Sequence, residues 1–225
     1  MTDIRVVDDP AAFVARLLNE AAAAGRHIVL TGGSTPKLAY EIAASSQPDW
    51  SKATVWWGDE RCVAPTDERS NYGMAAAALL DRLPQERRPR IMRMEGEKGP
   101  QAGADAYETQ VMQALGSQPR FDLLLLGLGG DGHMASVFPG KSALQERERI
   151  VVGVPEAGLE PFVPRITLTV PAINAAERIV FLVTGADKAP AVAKAFGSAQ
   201  EAIVPAGLSR DPLVVLDAAA AAELT

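Results

Sequence analysis

His133 and Asp131 flank Gly132 at the end of the stretch GLGGDGH, residues 127–133. A neutral imidazole has an ordinary pKa near ~6.5, so it can take a proton from water at neutral pH. Glycines lack a Cβ, which lets the backbone bend sharply and bring amides close to a ligand. The same letters also spell G-x-G-x-x-G, at Gly127, Gly129 and Gly132. A dinucleotide loop of that form opens a long helix after its third glycine, with the pyrophosphate on the helix N-terminus. Here Pro139 and Gly140 follow too soon, leaving room for about two turns, because proline breaks a helix interior. The acidic residue expected ~20 positions on, at the end of the next strand, has no good candidate. Glu148 stands near that distance but precedes the apolar run IVVGV. The loop therefore reads as a close approach to a ligand, with His133 as a base. His27, the other histidine, begins an apolar run and reads as structural.

Three more loops carry polar residues of useful type. In TGGSTP, Gly32 and Gly33 leave room for an anion. Ser34 or Thr35 can cap a helix, and Pro36 suits its first position. Phosphate is the expected guest of such a helix start. In GDERC, Asp59 can orient a base or bind hydroxyls, and Arg61 can fork onto a phosphate or carboxylate. Cys62 beside it reads as a small apolar filler. In TGADKAP, Lys188 falls where a helix begins, a position that opposes the helix dipole and points to an anion nearby. No metal set is visible, since two distant histidines and one cysteine make no ligand spacing. No G-x-S-x-G elbow appears.

Each of these loops follows an apolar run: 27–31, 53–57, 121–126 and 178–184, with a last run at 213–216. Runs without alternation suit strands covered on both faces. Helical stretches lie between them, at 10–24, 70–80 and 101–115, and after the first and fourth loops. The alternation predicts an α/β fold: a Rossmann-like open, mostly parallel sheet with helices on both faces, in a single domain over residues 1–225. In such sheets ligands sit beyond the carboxyl ends of the strands, where these loops would converge. The proline-rich stretch 153–164 reads as a loop.

Composition bounds the rest. A net charge of −6 is a poor match to nucleic acid, and the one basic cluster, 82–93, is broken by prolines and reads as a solvated loop. A single cysteine allows no internal disulfide, which fits a reducing compartment. The N-terminus lacks the pattern of a signal peptide, and no stretch reaches the ~20 apolar residues of a membrane helix. The expectation is a cytoplasmic protein with no membrane or nucleic-acid partner. Oligomeric state is not legible.

Taken in order, TGGSTP, GDERCVAPTDERSNYGM, LGLGGDGHMASVFPG, PRITLTVPAINAA and TGADKA resemble the 6-phosphogluconolactonases, within the wider glucosamine-6-phosphate isomerase/deaminase superfamily. The likeness runs from about residue 10 to 217. The deaminase pattern resembles D-G-H-I-A-F-N-E-P, and this chain has Phe138 where that glutamate stands. The lactonase pattern is similar to D-G-H-T-A-S-L-F-P, with Met134 and Val137 as the departures here. The resemblance implies hydrolysis of 6-phospho-D-glucono-1,5-lactone, with a sugar-phosphate isomerase or deaminase as the alternative; a strained ester already has a reactive carbonyl, so no cofactor or metal is expected. It implies His133 as general base; from the residues themselves, Asp131 or Asp59 is expected to hold its tautomer. It implies a phosphate gripped by the basic residues Arg61, Arg165 and Lys188, and the loop chemistry adds Gly32, Gly33, Ser34 and Thr35.

Overall fold

The computed structural model describes residues 1–198 and 204–224. The chain alternates strands and helices from its start: β1 (Asp3–Val6), α1 (Pro10–Ala23), β2 (His27–Leu30), α2 (Ser34–Ser45) and β3 (Thr54–Trp57). Next come β4 (Asp59–Arg61), α3 (Asn71–Ala78), β5 (Arg90–Ile91), α4 (Pro100–Leu115) and β6 (Leu123–Leu126). The last part holds β7 (Val151–Val154), β8 (Arg165–Leu168), α5 (Val170–Asn174), β9 (Arg178–Val183), α6 (Ala189–Phe196) and β10 (Leu213–Leu216). Start signals in the sequence set the long helices. Asp9 caps α1 by accepting from the Ala12 amide at 2.8 Å, and Pro10 supplies a preset first residue. Ser70 caps α3 in the same way through the Gly73 amide.

Seven strands form one parallel sheet in the order β1-β10-β9-β6-β2-β3-β5. Every residue of β6 and of β10 is buried. Successive side chains point to opposite faces, so full burial requires cover on both sides. This is the expected α/β architecture. The chain runs from β2 outward through β3 to β5, then returns to the other side of β2 as β6 and proceeds to β9 and β10. The direction of winding therefore reverses between β2 and β6, and a crevice opens there at the carboxyl ends.

A second sheet was not foreseen. β4, β8 and β7 pair antiparallel in the order β4-β8-β7, with Asp59 opposite Thr167 and Arg61 opposite Arg165. The GDER segment, expected as a loop, is thus a three-residue strand, and the first residues of the 153–164 stretch end β7. A glycine, Gly58, separates β3 from β4 and lets the chain leave one sheet for the other. One large apolar core includes buried side chains from α1 through β10, and a small cluster of Phe138, Ala143, Val152, Val154 and Ala157 lies by the second sheet. Among the described residues no helix is long and apolar enough to cross a membrane.

Candidate active site

The crevice at the β2–β6 reversal is a cleft of about 230 Å³. After β2, Thr31 to Pro36 form one wall, and after β6, Gly127 to Gly129 form the next. Thr184 and Lys188 follow β9, Asp59 and Arg61 come from β4, and Arg165 from β8. His133, Asn71, Ala135 and Leu159 also line it, with Leu182 and Val183 at the end of β9. Every residue singled out in the sequence for binding, together with His133 and Asp59, therefore meets in one place, and Asp131 stands beside His133.

No α-helix opens after Gly132; residues 127–141 are irregular, with turns, bends and one isolated bridge between Met134 and Val137. The dinucleotide reading fails on that ground, because no dipole is aimed at a pyrophosphate. The loop instead seats the imidazole. His133 Nδ1 lies 2.6 Å from Asp131 Oδ1, and the same oxygen accepts the His133 amide at 3.1 Å. A Cβ on Gly129 would fall 2.0 Å from Nδ1, so only glycine leaves room for the ring. Gly132 has a φ of +84°, and Ala135 holds a left-handed φ of +49° at the cleft wall. Burial tends to raise the Asp131 pKa, but the hydrogen bonds from His133 outweigh it and hold the carboxyl below its usual range. Nε2 of His133 makes no hydrogen bond among the described residues.

Asp59 is held elsewhere. Its Oδ2 accepts from the buried Ser136 hydroxyl at 2.6 Å and its Oδ1 from Asn71 Nδ2 at 3.2 Å. Of the two candidate partners for the imidazole, Asp131 is the one that hydrogen-bonds it. Next to Asp59, the buried Glu60 accepts from the amides of Arg61, Asn71 and Tyr72 and from the Ser70 hydroxyl. Burial pushes its pKa up, and those four bonds pull it part of the way back. Glu60 thereby pins the start of α3 to β4 and delivers Asn71 to the cleft. Asn71 escaped the sequence reading; its position in SNYG signals only a helix start. A Cβ on Gly32 would meet Asn71 Oδ1 at 1.9 Å, so the two segments touch at a glycine.

The anion end differs from expectation in its cap and in the place of Pro36. The N-cap of α2 is Gly33, at φ +113°, and no side chain caps the helix. Ser34 and Thr35 lie in the first turn and Pro36 is its third residue, so the first-turn amides face the cleft uncapped. Thr35 Oγ1 and Thr184 Oγ1 lie 3.0 Å apart across the cleft. Lys188 is the N-cap of α6, half-buried, with Asp187 3.9 Å away. Arg61 donates to the Arg69 carbonyl at 2.7 Å, and Arg165 donates to the carbonyls of Leu159 and Pro161. The Nε atoms of both arginines are buried and lack a partner among the described residues. Burial lowers the Arg165 pKa, the Asp59 charge opposes that, and Arg61 adds to the lowering. Cys62 is half-buried, and burial with the Glu60 charge pushes its thiol up to about 11, as suits a filler. His27 accepts from Trp56 Nε1 at 3.1 Å, a structural role.

A family profile described as glucosamine-6-phosphate isomerases/6-phosphogluconolactonase matches residues 3–214. The chain belongs to that family. It is 41% identical over 208 residues to the 6-phosphogluconolactonase of a Nostoc species, covering 88% of this chain and 84% of the relative. It is 39% identical over 214 residues to the 6-phosphogluconolactonase of Streptomyces coelicolor, covering 88% and 81%. The solved 6-phosphogluconolactonase of Trypanosoma cruzi superposes with a TM-score of 0.86 at 29% identity, over 100% of this chain and 97% of that one.

Proposed function

We propose that the protein hydrolyses 6-phospho-D-glucono-1,5-lactone to 6-phospho-D-gluconate, the second step of the oxidative pentose phosphate pathway. The observation that carries this reading is the imidazole of His133, hydrogen-bonded at 2.6 Å through Nδ1 to Asp131, in one cleft with three cations and uncapped helix amides.

An ionised carboxylate accepts only, so Nδ1 donates to Asp131 and the lone pair lies on Nε2. Nε2 takes a proton from a water as its oxygen bonds to the lactone carbonyl carbon. The carbonyl becomes an oxyanion, steadied by amides of the Gly129–Gly132 turn or by an arginine. Collapse breaks the bond to the ring oxygen, and the imidazolium returns its proton there. The sum is one water added and one ester opened, with no net change at His133. Asp131 keeps the tautomer and balances the transient imidazolium. The phosphate meets the Ser34 and Thr35 amides and hydroxyls and the α2 N-terminus. Lys188, Arg61 and Arg165 balance its charge. Asp59, fixed by Ser136 and Asn71, is available to sugar hydroxyls.

The isomerase or deaminase alternative draws no support at Phe138. That side chain is apolar and buried, so no carboxylate stands at the position.

A coupled assay on freshly made lactone, corrected for spontaneous hydrolysis, tests the reading. His133→Ala is expected to lose ~10²–10⁴ in kcat with KM little changed, the worth of a positioned base. Full activity in that variant overturns the assignment. Lys188→Ala is expected to raise KM and to erode selectivity for the phosphorylated over the unphosphorylated lactone. Unchanged selectivity removes Lys188 from the phosphate site.

A further inference from the structure

We propose that Phe138 is a positioning residue of this reaction, its ring joining the His133 imidazole and the Arg165 guanidinium in one packed stack. The inference rests on the reading of His133 as the base. Phe138 is buried. Its ring centroid lies 4.6 Å from that of His133, at 45°. Arg165 Cζ lies 5.3 Å from the same centroid, inside the ~6 Å reach of a cation–π contact. A Cβ on Gly158 would come within 2.9 Å of the ring, so the 153–164 segment also packs directly on it.

The hydrogen bond from His133 to Asp131 fixes the tautomer, but one bond at Nδ1 acts as a pivot about which a ring can tilt. The tilt decides where Nε2 points. Two contacts limit it: the Gly129 backbone, which touches the ring edge, and Phe138. Phe138 is itself anchored in the small apolar cluster with Ala143, Val152, Val154 and Ala157. The base is thus set against a rigid aromatic wall carried by the second sheet. Arg165 has a second anchorage independent of the ring, in its bonds to the Leu159 and Pro161 carbonyls. Loss of the ring is therefore expected to act on kcat more than on KM.

The test compares Phe138→Leu, Phe138→Tyr and Val154→Ala, with His133→Ala as reference, by steady-state kinetics and thermal melts. Val154 shares the small cluster but does not line the cleft. Misplacing a reacting group by about an ångström can cost up to ~10²-fold, so Phe138→Leu is expected to lower kcat about tenfold, with KM within about threefold. Phe138→Tyr, which keeps the ring, is expected to recover kcat to within about threefold, and Val154→Ala to keep it within about twofold at a similar loss of melting temperature. If Phe138→Leu keeps full kcat while His133→Ala is inactive, the positioning role alone is overturned. Equal kcat losses in Val154→Ala and Phe138→Leu also overturn it, because they mark a general packing effect. If His133→Ala is fully active, the base and its positioning fall together. Should Phe138→Leu not fold, Phe138→Met takes its place: a tenfold loss of kcat supports the positioning role and full kcat overturns it.

Discussion

The Asp131 carboxylate faces two demands, burial and the imidazole, and the imidazole wins. Its pKa lies below the ordinary carboxylate value in the folded chain. The stability it contributes is therefore full above pH ~4 and is lost as the pH falls through the lower native value. Asp131→Asn is expected to lessen the acid-limb loss of stability, to which other lowered carboxylates such as Glu97 also contribute, as read from thermal melts between pH ~5 and ~2. It is also expected to lower kcat by ~10² or more, part of what a correctly held base supplies. Unchanged kcat would sever Asp131 from the tautomer. Cys62 gives a second measurement. With its thiol at about 11, it should alkylate with iodoacetamide at pH 8 about 10²-fold more slowly than a free cysteine, followed by mass spectrometry.

At the scale of elements, Glu60 fastens β4 to α3 through four accepted hydrogen bonds. A glutamine there has one accepting oxygen, and in either orientation its nitrogen faces at least one backbone amide that can only donate. Glu60→Gln is expected to cost about 1–3 kcal/mol in urea unfolding, the penalty of unsatisfied buried donors. A cost near zero would show that β4 and α3 are held by other contacts. The sheet that these elements join was hidden in the sequence for a physical reason. β4 is three polar residues, β7 is interrupted by Gly153, and β8 starts on an arginine. β7 shows only the short, glycine-interrupted run IVVGV, and β4 and β8 lack the apolar runs that exposed β2, β6 and β9. The site was more legible than the small sheet, because glycine, histidine and aspartate at a strand tip are informative by type. Asn71 and Phe138 were not, because an asparagine at a helix start reads as a cap and a phenylalanine reads as core. What they touch is decided by pairings between distant segments.

For the molecule as a whole, the winding reversal between β2 and β6 sets where the cleft lies, and the parallel core beneath it sets stability. Leu124 is fully buried in the middle of the large sheet. Leu124→Ala is expected to cost about 2–5 kcal/mol in urea unfolding while kcat per folded molecule stays unchanged. A fall in kcat at low urea would mean that core and cleft are mechanically coupled.

Arg61 and Arg165 are direct partners across the antiparallel β4–β8 ladder. Like charges so placed weaken a pair of strands. On the proposed reading of the cleft, the second sheet carries an electrostatic deficit that an arriving dianion would make good, so that capture of the guest and cohesion of the strands would become one event. The vacant enzyme should melt at a lower temperature than the occupied one, and that gap should narrow when either arginine is replaced by a neutral residue.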